Sequence, residues 1–191
     1  MFLFFFKYYG LKTYITLLRG INVSGKNLLR MRDLEATFLK LGAQNVRTYI
    51  QSGNVVFHYA EAETKLLSER IKAQIKQDYG YDLPVLVLTL ESFTKLINTN
   101  PFSADSKKDV RFIHVTFLHE KPAMYDRERI NGKVSGEEEF LITDEAVFLY
   151  CPYGYGKTKL NNNFFESCFK VEATTRNWKT TMKLLEMAGN H

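Results

Sequence analysis

The sequence predicts an α+β fold built from two ferredoxin-like (βαββαβ) halves packed together and followed by a C-terminal helix. Three observations carry this reading. Residues 13–89 show strand and helix patterns in the order strand, helix, strand, strand, helix, strand. After a short helix and a turn, the order partly recurs over residues 110–173. The last stretch is dense in apolar residues at helical spacing, so it must pack on something.

The first strand spans residues 13–19, a β-rich run around Tyr14, Ile15 and Leu17. Met31, Leu34, Phe38 and Leu41 then mark one face of a helix that stops where Gly42 can turn left-handed. Residues 45–50 and 54–59 are short β-rich runs separated by Gln51, Ser52 and Gly53, the spacing of a hairpin. Leu67, Ile71 and Ile75 define a second amphipathic helix over 63–79, ended near Gly80, and residues 84–89 supply a fourth strand. A short helix at 91–98 and a turn at Asn100 and Pro101 act as a hinge.

Beyond it the pattern predicts a strand at 110–118, a helix opened by Pro122, and strands at 139–143 and 146–151. A helix around 162–168 and a short strand at 169–173 follow. The terminal helix is expected to start from Thr174 or Thr175 as N-cap, with Trp178, Met182 and Leu185 on its buried face. The expected division is an extension at 1–12, a first half at 13–98 and a second half at 99–191.

Composition sets the class of protein. With 45% hydrophobic and 25% charged residues, the 191-residue chain reads as globular rather than disordered. A net charge of +5 favours encounter with anions, nucleic acid included, without specifying chemistry. Two cysteines, Cys151 and Cys168, are too few for a disulfide framework or a cysteine zinc site. They predict reduced, buried thiols in a cytoplasmic protein. The apolar run Met1–Phe6 has its lysine after it rather than before it and no small-residue cleavage site, so it does not match a secretory signal. It is also far shorter than the about 20 residues of a membrane span. An upstream extension, a misassigned start, is the expectation for it.

The stretch Arg19-Gly-Ile-Asn-Val-Ser-Gly-Lys-Asn27 is the leading candidate for function. It joins a strand to a helix and carries more hydrogen-bonding groups than a connection needs. In a βαββαβ sheet the first two strands run parallel, so this loop and the hairpin emerge on one edge. Arg19, Gly20, Asn22, Gly25, Lys26, Asn27, Tyr49, Gln51, Ser52, Gly53 and Asn54 could then line one polar site. Glycine-loop amides with Arg and Lys are the usual means of holding a phosphate or carboxylate. The plainer reading is that these glycines and asparagines serve turn geometry. Gly20 to Lys26 also spells most of a nucleotide P-loop, but Asn27 stands where Ser or Thr must bind magnesium, and the helix pattern begins too late.

Secondary candidates are Tyr155 and Lys157, in a glycine- and lysine-rich loop at 153–159, and Arg176 and Asn177 at the expected start of the last helix. An RNA-recognition motif is not matched, since Asn54 and Val56 occupy the third-strand positions where that module stacks bases. The histidines, His58, His114, His119 and His191, have no metal spacing and no Ser or Cys partner in a known arrangement. No catalytic residue, metal site or cofactor is therefore assigned.

Three blocks carry a family resemblance: Leu17 to Asn27, Val46 to Phe57, and Thr174-Thr-Arg-Asn-Trp178. They resemble the signature blocks of the bacterial family called domain of unknown function 1697, from about residue 13 to the C-terminus. The resemblance implies an α+β protein with ferredoxin-like halves and implies no activity. This chain has Ser24 where the family pattern has glycine, and it lacks the usual proline before the first helix. Residues 1–12 fall outside the pattern. Together these readings predict a cytoplasmic protein binding a small anionic ligand, which could be phosphorylated, at its polar loops. The alternatives are a nucleic-acid binder using backbone charge, and a protein-interaction module whose loops are structural.

Overall fold

The computed structural model describes residues 10–23 and 25–189. Their elements run β1 (Lys12–Leu18), α1 (Met31–Lys40), β2 (Gln44–Tyr49), β3 (Asn54–Tyr59), α2 (Thr64–Tyr79), β4 (Val85–Thr89) and α3 (Leu90–Ile97). A single 3-10 turn (Val110–Phe112) leads into β5 (Ile113–Leu118). Then come α4 (Arg127–Asn131), β6 (Glu139–Ile142), β7 (Ala146–Tyr150), α5 (Asn162–Phe169), β8 (Ala173–Asn177) and α6 (Trp178–Gly189). The strands form two four-stranded antiparallel sheets, ordered β2–β3–β1–β4 and β6–β7–β5–β8. The α+β class and the twofold βαββαβ order expected from sequence are both present. The chain divides into two compact units between Leu90 and Glu91. Of the expected extension, only Gly10, Leu11 and Lys12 are described, and Lys12 already belongs to β1; the rest, like Ser24 and His191, lies outside the described residues.

In the first unit, Tyr14 and Leu18 of β1, Val55 and Phe57 of β3, and Val85 and Val87 of β4 share one sheet face. Against it pack Leu34 and Phe38 of α1 and Leu67, Ile71 and Ile75 of α2. Phe57 stacks on Tyr14 at 5.6 Å and meets Phe38 edge-on at 5.0 Å. Each such side chain fully withdrawn from water contributes about 1.5–3 kcal/mol. Helix α1 ends as its sequence predicts: Gly42 takes φ 87°, its N–H donates to Leu39 O at 3.0 Å, and Ala43 N–H donates to Phe38 O at 3.1 Å. These are the paired bonds of a Schellman cap.

The second unit repeats the pattern. Ile130 of α4 and Phe165 and Phe169 of α5 cover Leu118, Val147, Leu149 and Cys151. On β5's opposite face, Phe117 stacks on Phe93 of α3 at 5.6 Å, and α6 packs against β5, β8 and the 3-10 turn. The repetition extends to the strand ends. Leu18 N–H donates to Gly53 O at 2.8 Å and Leu118 N–H to Glu145 O at 2.9 Å, while Arg19 N–H donates to Pro84 O at 3.1 Å and His119 N–H to Glu172 O at 2.9 Å.

Several expected elements are placed differently. The helix after β5 opens at Arg127 rather than at Pro122, because Asp126 accepts a hydrogen bond from Arg129 N–H at 3.0 Å and sets the start. The first residues of the expected strand at 110–118 form the 3-10 turn, held by Asp109 accepting from Arg111 N–H at 2.9 Å. The last strand begins at Ala173, after the left-handed Lys170 (φ 59°) closes α5, so it does not occupy 169–173. Thr174 and Thr175 are inside β8, opposite Phe117 and Thr116, where β-branched residues suit a pleated strand. They do not cap α6; Asn177 does, accepting from Thr180 N–H at 2.8 Å. Because α6 leaves β8 without a loop, the strand end fixes its phase. Thr180, Thr181, Leu184 and Ala188 are its buried face, in place of Trp178, Met182 and Leu185.

Candidate functional site

Both β1 and β2 pair antiparallel with β3, so they run parallel to each other, and the loop after β1 meets the β2–β3 hairpin on one edge of the first sheet. Within that loop the polar residues serve the backbone first. Gly20, Asn22, Gly25 and Asn27 all take positive φ, between 49° and 77°. Lys26 N–H donates to Val23 O at 2.9 Å, closing a tight turn that leaves Lys26 exposed. Asn27 Nδ2 donates to Gly20 O at 2.8 Å. The P-loop arrangement is accordingly absent: Lys26 sits in a β-turn and the helix starts at Met31.

Asn22 ties loop and hairpin together. Its Nδ2 donates to Leu29 O at 2.8 Å and to Gln51 O at 2.9 Å, while its Oδ1 accepts from Leu29 N–H at 2.9 Å. The hairpin is held from within. Asn54 Nδ2 donates to Tyr49 O at 3.0 Å and to Ser52 Oγ at 2.8 Å. Gly53 takes φ 77°, and a Cβ there would stand 2.7 Å from Leu18 Cβ and 3.0 Å from Ile21 Cδ1. Only glycine satisfies both restrictions. Beside it, exposed Ile50 holds φ 48°, an uncommon conformation for a β-branched residue.

Against this frame lies an open cleft of about 560 Å³, lined by Asn22, Leu28, Leu29, Arg30, Met31, Asp33, Gln51 and Tyr79. Its wall is fixed by α2 and the residues after it: Tyr79 Oη donates to Asp33 O at 3.0 Å, and Tyr81 Oη donates to Leu28 O at 3.1 Å. The first turn of α1 borders the cleft. Arg30 occupies its N-cap position and supplies no side-chain acceptor, so the N–H groups of Met31 and Arg32 have no side-chain cap. The corresponding helix of the second unit, α4, is capped by Asp126, and α5 is capped by Asn161.

Of the residues singled out from sequence, Asn22 and Gln51 line this cleft, and Asn22 does so with its amide already committed. Arg19, Gly20, Gly25, Lys26, Asn27, Tyr49, Ser52, Gly53 and Asn54 belong to the surrounding frame rather than to the lining. Arg30, Asp33 and Tyr79 were not anticipated. For Arg30 alone the sequence holds a signal: Leu28-Leu29-Arg30 precedes α1 where Ser, Thr, Asp or Asn would ordinarily stand.

The secondary candidates are all in the second unit. Tyr155 stacks on His114 at 4.6 Å, donates to Thr175 Oγ1 at 3.1 Å and accepts from Asn162 N–H at 3.0 Å. Burial pushes the His114 pKa down. Arg176 lies on β8 with Nη1 donating to Thr175 O at 3.0 Å, and desolvation lowers its pKa to about 10. Asn177 is the α6 cap, and Lys157 is exposed. Cys151 and Cys168 are buried free thiols; burial pushes Cys151 up to about 12, with Glu138 adding to the shift. Asn54 and Val56, at the third-strand positions where an RNA-recognition module stacks bases, are both 0% exposed. Among the described residues, no group of three or more His, Cys, Asp or Glu is placed to hold a metal ion, and no helix is long and apolar enough to cross a membrane.

Residues 11–148 match the family described as protein of unknown function DUF1697. The chain belongs to this family. Its fold is similar to that of the conserved bacterial protein SP0830 from Streptococcus pneumoniae, at 25% sequence identity and a TM-score of 0.68, over 94% of this chain and 99% of that one. No curated protein matches the sequence. The family match takes in the whole cleft, from Asn22 to Tyr79, and stops before β8 and α6.

Proposed function

We propose that this DUF1697 protein binds a small anionic ligand, a carboxylate or phosphate ester, in the cleft between the β1–α1 loop and the β2–β3 hairpin. The observation that carries the reading is the first turn of α1. Its N–H groups lack a side-chain cap, and Arg30, the residue at the cap position, lines the cleft. A helix start of this kind favours negative charge. The cation in the lining is thus Arg30, with Gln51 also in the lining, in place of Arg19 and Lys26. The apolar flank of Leu28, Leu29 and Met31 suits a ligand with a short hydrocarbon part. The buried thiols of Cys151 and Cys168 fit a cytoplasmic setting.

Thermal unfolding of the full chain with phosphate esters and with carboxylates tests this. A ligand present at a hundred times its dissociation constant adds about 2.7 kcal/mol, a rise of several degrees in Tm. The rise should appear with one anion class and shrink in Arg30→Ala and in Gln51→Ala. No rise with any anion, or a rise unaffected by Arg30→Ala, would reject the cleft as the site.

A further inference from the structure

The cleft contains two side-chain charges of opposite sign that no ion pair joins. Arg30, at the N-cap position, and Asp33, in the first turn of α1, stand three residues apart in the chain, and both line the cleft. Among the described residues, neither side chain has a hydrogen-bond or salt-bridge partner. Gln51, whose amide can donate and accept, also lines the cleft without a side-chain partner among the described residues. Leu28, Leu29 and Met31 line the same cleft.

Resting on the anion-binding reading above, we infer that the ligand is a small zwitterion: an amine-bearing phosphate or carboxylate whose anion faces Arg30 and whose ammonium faces Asp33. A plain anion satisfies Arg30 but brings its charge close to the Asp33 carboxylate. A zwitterion meets both protein charges and sets its short hydrocarbon spacer on the apolar flank. Asp33 is then the residue that determines specificity. The carboxylate also sits in the first turn of α1, where any acidic residue helps the helix. That helical role predicts a change in stability and no discrimination between ligands.

The test is isothermal titration calorimetry on the full chain with two matched probe pairs: ethyl phosphate against phosphoethanolamine, and butyrate against 4-aminobutyrate. In at least one pair the aminated member should bind roughly tenfold tighter, the scale of one added charge-assisted hydrogen bond. In Asp33→Asn that preference should vanish while the plain anion binds as well as before or better. The variant keeps the fold, because the backbone oxygen of Asp33, not its carboxylate, accepts from Thr37 Oγ1 at 3.2 Å and Tyr79 Oη at 3.0 Å. Equal binding within each pair, or a preference that survives Asp33→Asn, overturns the zwitterion inference and leaves the anion site standing. If none of the four probes binds, both readings fall.

Discussion

Replacing Asn22 by alanine should unfasten the loop from the hairpin. The change removes the two bonds donated by Nδ2, at 2.8 and 2.9 Å, and the one accepted by Oδ1 from Leu29 N–H at 2.9 Å. A typical bond of this kind contributes about 1 kcal/mol net. Residue 22 also has φ 52°, a conformation that costs alanine roughly 1 kcal/mol more than asparagine or glycine. The sum is about 3–4 kcal/mol for Asn22→Ala. Asn22→Gly, which loses the bonds without the backbone strain, should lose about 2–3 kcal/mol. Urea unfolding followed by far-UV circular dichroism gives both values, and the gap between the variants separates strain from hydrogen bonding. If the loop opens without global unfolding, the loss appears instead as faster hydrogen exchange at the Leu29 amide. An Asn22→Ala protein within about 0.5 kcal/mol of the parent, with Leu29 exchange unchanged, would refute the argument that Asn22 fastens the two loops.

Other substitutions and conditions probe the same account. Gly53→Ala should lose about 3 kcal/mol, since it adds both left-handed strain and a Cβ 2.7 Å from Leu18 Cβ. Gly25→Ala, at φ 74° with no atom within 4 Å of the added Cβ, should lose only about 1 kcal/mol in the same urea titration. Ile50→Asn should gain about 0.5–1 kcal/mol, because asparagine tolerates φ 48° and the isoleucine side chain is largely exposed. With its native pKa raised to about 12 against an ordinary value near 9, Cys151 contributes stability that is intact below pH 9 and lost as pH rises toward 12. The buried thiol should also resist a thiol-labelling reagent at pH 8 until the protein is denatured.

The architecture was legible because its signals were local and redundant. Leu67, Ile71 and Ile75 mark α2 by spacing, Gly42 marks the end of α1, and the Gln51-Ser52-Gly53 gap marks the hairpin. The end of the chain misled for a physical reason. Thr174 and Thr175 are good N-cap residues and equally good strand residues, and pairing with Thr116 and Phe117 of β5 decides between the two. Pro122 likewise suits a helix start, yet Asp126 supplies the capping acceptor. At the candidate site, sequence located the two loops but ranked their residues by chemical type. Arg19, Lys26 and Asn27 carry functional groups suited to an anion and still lie outside the lining. Arg30, Asp33 and Tyr79 reach it because α1 starts beside the hairpin and α2 ends against α1. That is a relation between elements far apart in sequence.

Backbone amide NMR of the full chain, titrated with the matched anion and zwitterion probes, tests the central claim most directly. Shifts concentrated at Asn22, Leu28 to Asp33, Gln51 and Tyr79, saturating with one probe, are the predicted result. Shifts centred instead on the loop of Tyr155 and Lys157, or no saturable shift with any probe, would contradict it.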